Sequence, residues 1–135
     1  MNYEISQNNG VGQGKKSILK EKSFLFAVAC VNIYQQLIEI KREYILSKQF
    51  LRSGTSIGAN IREAQNAESK NDFIHKLAIS QKECDETIYW LELLHTTKYV
   101  SEQDFNELCT CAQELIKMIR SSILTSKSSL NKNLS

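Results

Sequence analysis

The chain contains no proline and only five glycines among its 135 residues. Folds built from strands and long loops depend on proline and glycine for their turns, so this shortage disfavours all-β architectures and favours helices. Strict alternation of apolar and polar residues never lasts more than a few positions, and no segment reads as a strand. No apolar run approaches the ~18 residues that a membrane span requires. The opening stretch MNYEISQNNGVGQGKKS lacks the apolar core of a secretory leader, so the expected compartment is the cytoplasm. Cysteine is sparse and without a C-x-x-C pair: Cys30, Cys84, Cys109 and Cys111 each fall inside an apolar-periodic segment. On a helix, Cys109 and Cys111 point ~200° apart, too far round to share a metal or form a bridge. All four are therefore read as core thiols.

What is present is ordinary for one soluble domain: 41% hydrophobic and 24% charged residues. Residues 1–19, rich in Asn, Gln and Gly, and residues 126–135, SKSSLNKNLS, are expected to be disordered tails around a domain at 20–125. Four helical patterns fill that domain. The first runs from about Lys20 to Leu46, with Phe24, Ala27, Val28, Val31, Tyr34, Ile38 and Ile45 as its stripe, broken only around Arg42. The second covers about Ser47 to Asn66, with Phe50, Ile57, Ile61 and Ala64 on one face. The third, Asn71 to about Thr96, carries Phe73, Leu77, Ser80, Cys84, Leu91 and Leu94, and the fourth begins at Ser101 and runs through Ile123. Ser69 with Asp72, and Ser101 with Asp104, have the spacing of helix-capping pairs. Short connections make consecutive helices antiparallel neighbours, so the expected fold is all-α, an up-down antiparallel four-helix bundle.

The segment SGTSIGANIREA, residues 53–64, concentrates small and polar side chains in the second helix. Gly54 and Gly58 lie four apart and share a face with neighbouring serines, which lets another backbone come close. A phosphate-binding loop is excluded, because no strand precedes the segment and no Gly-Lys-Ser/Thr follows. A local kink at the glycines is the alternative to close packing, within the bundle or between subunits. Asn60 and Glu63 are read as structural residues that fix the packing of this helix.

The stretch from Arg52 to Leu94, RSGTSIGANIREAQNAESKNDFIHKLAISQKECDETIYWLELL, resembles the four-helix-bundle family first noticed as reading frames inside intervening sequences of bacterial 23S ribosomal RNA genes. The later TKYVSEQDFNELCTCAQELIKMI is similar to that family's last helix, and the motif at its centre is Ser56-Ile57-x-x-Asn60-Ile61-x-Glu63. The resemblance covers roughly residues 20–125. It implies an up-down bundle and a ring-forming homopentamer. A relative, the accessory variability protein of diversity-generating retroelements, pairs with a reverse transcriptase and binds nucleic acid through a basic surface. Many members have proline where this chain has Gly58, which implies a more continuous second helix here. No reaction is implied.

The residues themselves offer little for catalysis. His75 and His95 each follow an acid by three, as Asp72-x-x-His75 and Glu92-x-x-His95, a spacing used by di-iron bundles. Both lie on one helix ~30 Å apart, so they cannot share a metal. Neither a metal, a cofactor nor a catalytic residue is expected. The formal charge is only +2, but it is unevenly placed: +4 over residues 41–82, −7 over 83–114 and +4 over 115–135. Folded as a bundle, the end of the third helix and the start of the fourth make an acidic pole. The acids near the end of the third helix, Glu83, Asp85, Glu86 and Glu92, oppose its dipole; an ordinary solvated face is the first reading of them and a partner the alternative. At the opposite, basic pole lie Lys20, Lys22, Arg62, Lys70, Lys76, Lys117 and Arg120, the candidate contacts for RNA or DNA phosphates. The expected protein is a non-enzymatic homo-oligomer with nucleic acid as ligand. The alternative is a scaffold or accessory module for a protein partner such as a reverse transcriptase.

Overall fold

The structure, a computed structural model, describes residues 14–133. They form four helices: α1 (Gly14–Glu39), α2 (Leu46–Gln65), α3 (Lys70–Thr96) and α4 (Glu102–Asn133). No strand occurs among the described residues. The helices run up and down in an antiparallel bundle around one core. Cys30 and Leu37 of α1, Phe50, Ile57 and Ile61 of α2, Leu77, Leu91 and Leu94 of α3, and Leu115 and Ile119 of α4 are all essentially inaccessible.

Local chemistry sets the helix ends. Ser69 has an extended backbone and its hydroxyl accepts from the Asp72 amide at 3.0 Å, capping α3. The Ser101 hydroxyl does the same for the Asp104 amide at 3.1 Å, ahead of α4. The start of α2 is capped differently. Ile45 makes no side-chain cap, and the Glu43 carboxylate instead accepts from the amides of Ile45, Leu46 and Ser47 at 3.0, 2.9 and 2.6 Å. Burial pushes the Glu43 pKa up. Those amides outweigh it, and the net direction is down.

Three expectations need correction. The first helix does not reach Leu46. It ends at Glu39, Arg42 adopts a left-handed φ of 55°, and the chain turns before Glu43 nucleates α2. The expected stripe on α1 is also the wrong face: the buried residues are Leu19, Ser23, Phe26, Cys30, Ile33 and Leu37. Because α1 is apolar on more than one side, periodicity alone cannot choose its inward face. Finally, the helical boundaries extend into both expected tails. Residues 14–19 belong to α1, with Leu19 buried, and α4 runs through 126–133 with Ser126, Ser129 and Leu130 half-buried. Residues 1–13 and 134–135 lie outside the described residues.

The glycines of α2 lie inside an unbroken helix, so there is no local loop at Gly54–Gly58. A Cβ at Gly54 would meet Cys30 Sγ at 2.6 Å, and one at Gly58 would meet the Ser23 carbonyl at 3.3 Å. α1 thus packs almost onto the backbone of α2. Asn60 is half-buried and its side-chain amide donates to the Ser56 carbonyl at 2.8 Å.

Candidate functional site

The seven cations of the expected basic pole do not gather on one face. They are spread over all four helices and form a belt: Lys20 and Lys22 on α1, Arg62 on α2, Lys70 and Lys76 on α3, Lys117 and Arg120 on α4. Several already have partners. Lys22 lies 3.7 Å from Glu114, Lys76 lies 3.0 Å from Glu63, and Lys70 donates to Ser129. The Arg62 guanidinium sits 5.5 Å from the centre of the Phe24 ring. Lys20, Lys117 and Arg120 are exposed and have no ion pair among the described residues. These three are the cations most open to phosphate.

The opposite pole is not simply acidic. The α1–α2 loop lies at that end and brings Lys41 and Arg42, the first turn of α2 brings Lys48, and the α3–α4 turn brings Lys98, all exposed. Of the acids counted there from the sequence, Glu92, Glu102, Asp104 and Glu107 lie at this end and the others do not. Glu83 and Glu86 sit in the body of α3, where Arg52 of α2 reaches them at 3.3 and 2.6 Å. Their opposition to the helix dipole is answered by that interhelical arginine. Its hydrogen bond holds Glu86 below the usual carboxylate range against the effect of burial.

The seam between α1 and α4 is open where the other three are closely packed. A groove of about 440 Å³ lies there, walled on α1 by Leu25, Ala29 and Ile33 and on α4 by Leu108, Cys111 and Leu115. Asp104, Glu107 and Glu114 line its α4 edge. Ile18 and Leu25 are left 45% and 37% exposed on this flank of α1. The other flank, spaced i, i+4, i+8, i+11, carries Lys20, Phe24, Val28 and Val31 and runs beside Arg62. One side of α1 is therefore apolar with acidic company, and the other is apolar with basic company.

Cys30 and Cys84 are buried, and the Cys84 thiol lies 3.3 Å from the Ala112 carbonyl with its pKa pushed up to about 12 by burial. Cys111 departs from the expectation of a core thiol: it is exposed on the groove wall. His75 is exposed, and His95 stacks on Phe105 with ring centres 4.3 Å apart. Among the described residues no group of three His, Cys, Asp or Glu side chains comes together to hold a metal. None of their helices is long and apolar enough to cross a membrane.

Comparison with known families matches residues 15–121 to the 23S rRNA-intervening sequence protein model. The chain belongs to this family. The crystal structure of a protein of unknown function from the S23 ribosomal protein family of Bacteroides thetaiotaomicron VPI-5482 is similar, with 49% identity and a TM-score of 0.80. That match covers 81% of this chain and 97% of the other. No curated protein matches the chain. Family membership thus accompanies the four-helix architecture without attaching an activity to it.

Two features of this family member escape reading from sequence. One is the Arg52–Glu83–Glu86 cluster, joined by Trp90, whose indole donates to Glu86 at 3.2 Å and whose ring meets Tyr89 edge-on at 5.0 Å. Its partners lie more than thirty residues apart, so only helix pairing brings them together. The other is the Glu43 cap, for which the break at Arg42 is the available signal.

Proposed function

We propose that the protein is a non-enzymatic assembly module whose copies join side by side into a ring and present cations to nucleic-acid phosphates, RNA first. The observation that supports assembly most is the uncovered α1. Its acid-edged groove toward α4 and its Lys20–Phe24–Val28–Val31 flank beside Arg62 are complementary in charge and both apolar. Two different faces that fit one another make a heterologous contact, which closes into a ring when the rotation allows. The family resemblance suggests five copies. In such a ring Lys20 belongs to the subunit contact, while the exposed Lys117 and Arg120 repeat around the axis, and modest patches add to one field.

The non-enzymatic part rests on the histidines, one exposed and one stacked on Phe105 at opposite ends of α3. A second reading, a scaffold for another protein, is favoured by Trp90, Tyr89 and Arg52 on the α2–α3 face, residue types that dominate binding hot spots.

Fluorescence anisotropy against a structured RNA and an unrelated DNA duplex, at two salt concentrations, tests the nucleic-acid reading. Micromolar or tighter binding with a steep salt slope is expected. Lys117→Glu with Arg120→Glu should weaken binding and flatten that slope. Absence of binding at low salt would discard nucleic acid and leave the protein scaffold.

A further inference from the structure

The pole opposite the basic belt holds a concentration of exposed apolar side chains. Ile40, Tyr44 and Ile45 are 72%, 52% and 77% exposed on the α1–α2 loop, and Tyr99 is 37% exposed on the α3–α4 turn. Carboxylates and cations both interleave with them: Glu39, Glu92 and Glu102 are exposed at the same end, and the four cations there are Lys41, Arg42, Lys48 and Lys98. None of these four is in an ion pair among the described residues. Large apolar side chains exposed together on one end call for a ligand, whereas scattered ones do not.

The two tips are held in place. The Glu43 carboxylate fastens the loop through three amides, and the Tyr99 and Val100 amides both donate to the Leu94 carbonyl, with Val100 buried beneath. Arg42 and Lys98 are the only described non-glycine residues with positive φ, at 55° and 69°. Glycine or asparagine fits such positions more readily. Here both carry a long cation at the same end of the molecule, next to the exposed tyrosines.

Between the tips lies a pocket of about 380 Å³ lined in part by Ile40, Lys41, His95, Lys98, Tyr99 and Glu102. We infer that this pole is a second nucleic-acid site, one that takes an unstacked base of single-stranded RNA. Tyr99 in the pocket wall offers an aromatic face for stacking, and Tyr44, exposed on the α1–α2 loop outside the pocket, a second one for a flanking base. Ile40 gives an apolar wall, and Lys41 and Lys98 charge for the flanking phosphates. The carboxylates of Glu102 and Asp104 on the pocket wall offset the charge of Lys41 and Lys98, and they favour a base over a bare anion because they accept hydrogen bonds from base amino groups. This site shares the ligand class of the proposed function and stands on different residues at the opposite pole.

Binding of a dye-labelled ten-nucleotide single strand and of a duplex RNA, measured for three double variants, tests the inference. Tyr44→Ala with Tyr99→Ala should weaken single-strand binding about ten-fold and leave the duplex unchanged, since each stacked base contributes at that level. Lys41→Glu with Lys98→Glu, which alters exposed side chains only, should weaken the single strand as well. A 4-thiouridine strand should crosslink to a peptide containing Tyr44 or Tyr99. If the tip variants bind like wild type while Lys117→Glu with Arg120→Glu loses affinity, the tip inference fails and the basic belt stands. If only the tip variants lose affinity, the tip stands and the belt fails. Wild-type protein that ignores the single strand, or whose tip instead partitions onto vesicles containing phosphatidylserine, overturns the inference.

Discussion

At the scale of single residues, Glu43 has the clearest energetic role. Its carboxylate meets three amides that the first turn of α2 leaves without helical partners. Glu43→Gln keeps the size but loses the charge, and it should cost about 1–2 kcal/mol in urea unfolding near neutral pH. Folding lowers the Glu43 pKa, so the folded state favours the carboxylate. The contribution is complete above the unfolded value, about pH 4.3, and is lost as pH falls through the lowered folded value. Wild type should therefore destabilise more steeply than the variant below about pH 4. Gly54 offers an independent test. Gly54→Ala drives a Cβ to 2.6 Å from Cys30 Sγ and should cost about 1–3 kcal/mol, with Cys30→Ala recovering most of it. Gly58→Ala meets the Ser23 carbonyl at 3.3 Å, a milder contact, and part of its cost is offset by the ~1 kcal/mol that alanine gains over glycine in a helix.

At the scale of elements, the second, third and fourth helices are legible in the sequence and the first is only partly so. Ser69 and Ser101 mark two starts by spacing alone, and the core positions Phe50, Ile57, Leu77, Leu91, Leu115 and Ile119 follow from steps of three and four. α1 defeats that method. Phe24, Leu25, Phe26, Ala27 and Val28 are consecutive and apolar, so choosing between Phe24 and Phe26 as the buried position needs the neighbouring helices. Charge counted along the chain locates the poles only in part: Glu92, Glu102 and Asp104 do lie at the α3–α4 end. Such a count cannot see that Arg52 takes up Glu83 and Glu86, or that the α1–α2 loop carries its cations to the end thought to be acidic. The pairing of α2 with α3 makes its own prediction. Arg52→Met leaves a buried oxygen of Glu83 without its cation and should lower the melting temperature measurably. Lys76→Met, which breaks a more exposed pair with Glu63, should leave the melting curve unchanged within error.

For the whole molecule, the decisive feature is that α1 is covered on its inner side and uncovered on two others. A bundle that satisfied itself would close the α1–α4 seam, as it closes the other three. Here Leu25 and Ile18 stay exposed beside a row of acids, and a flank of matching apolar and basic character lies on the same helix. The proposed self-assembly would cover both at once. If charge complementarity contributes, the assembly should loosen as salt rises, because exposed pairs are screened within ~10 Å at 0.1 M ionic strength. The most direct test is the mass of the wild-type protein and of Leu25→Glu by sedimentation at low and high salt, with helicity checked by circular dichroism. A wild-type oligomer that the variant reduces to a folded monomer is the predicted result. A wild-type protein that is monomeric at low salt, or a Leu25→Glu variant that keeps the full oligomeric mass, would contradict assembly through α1.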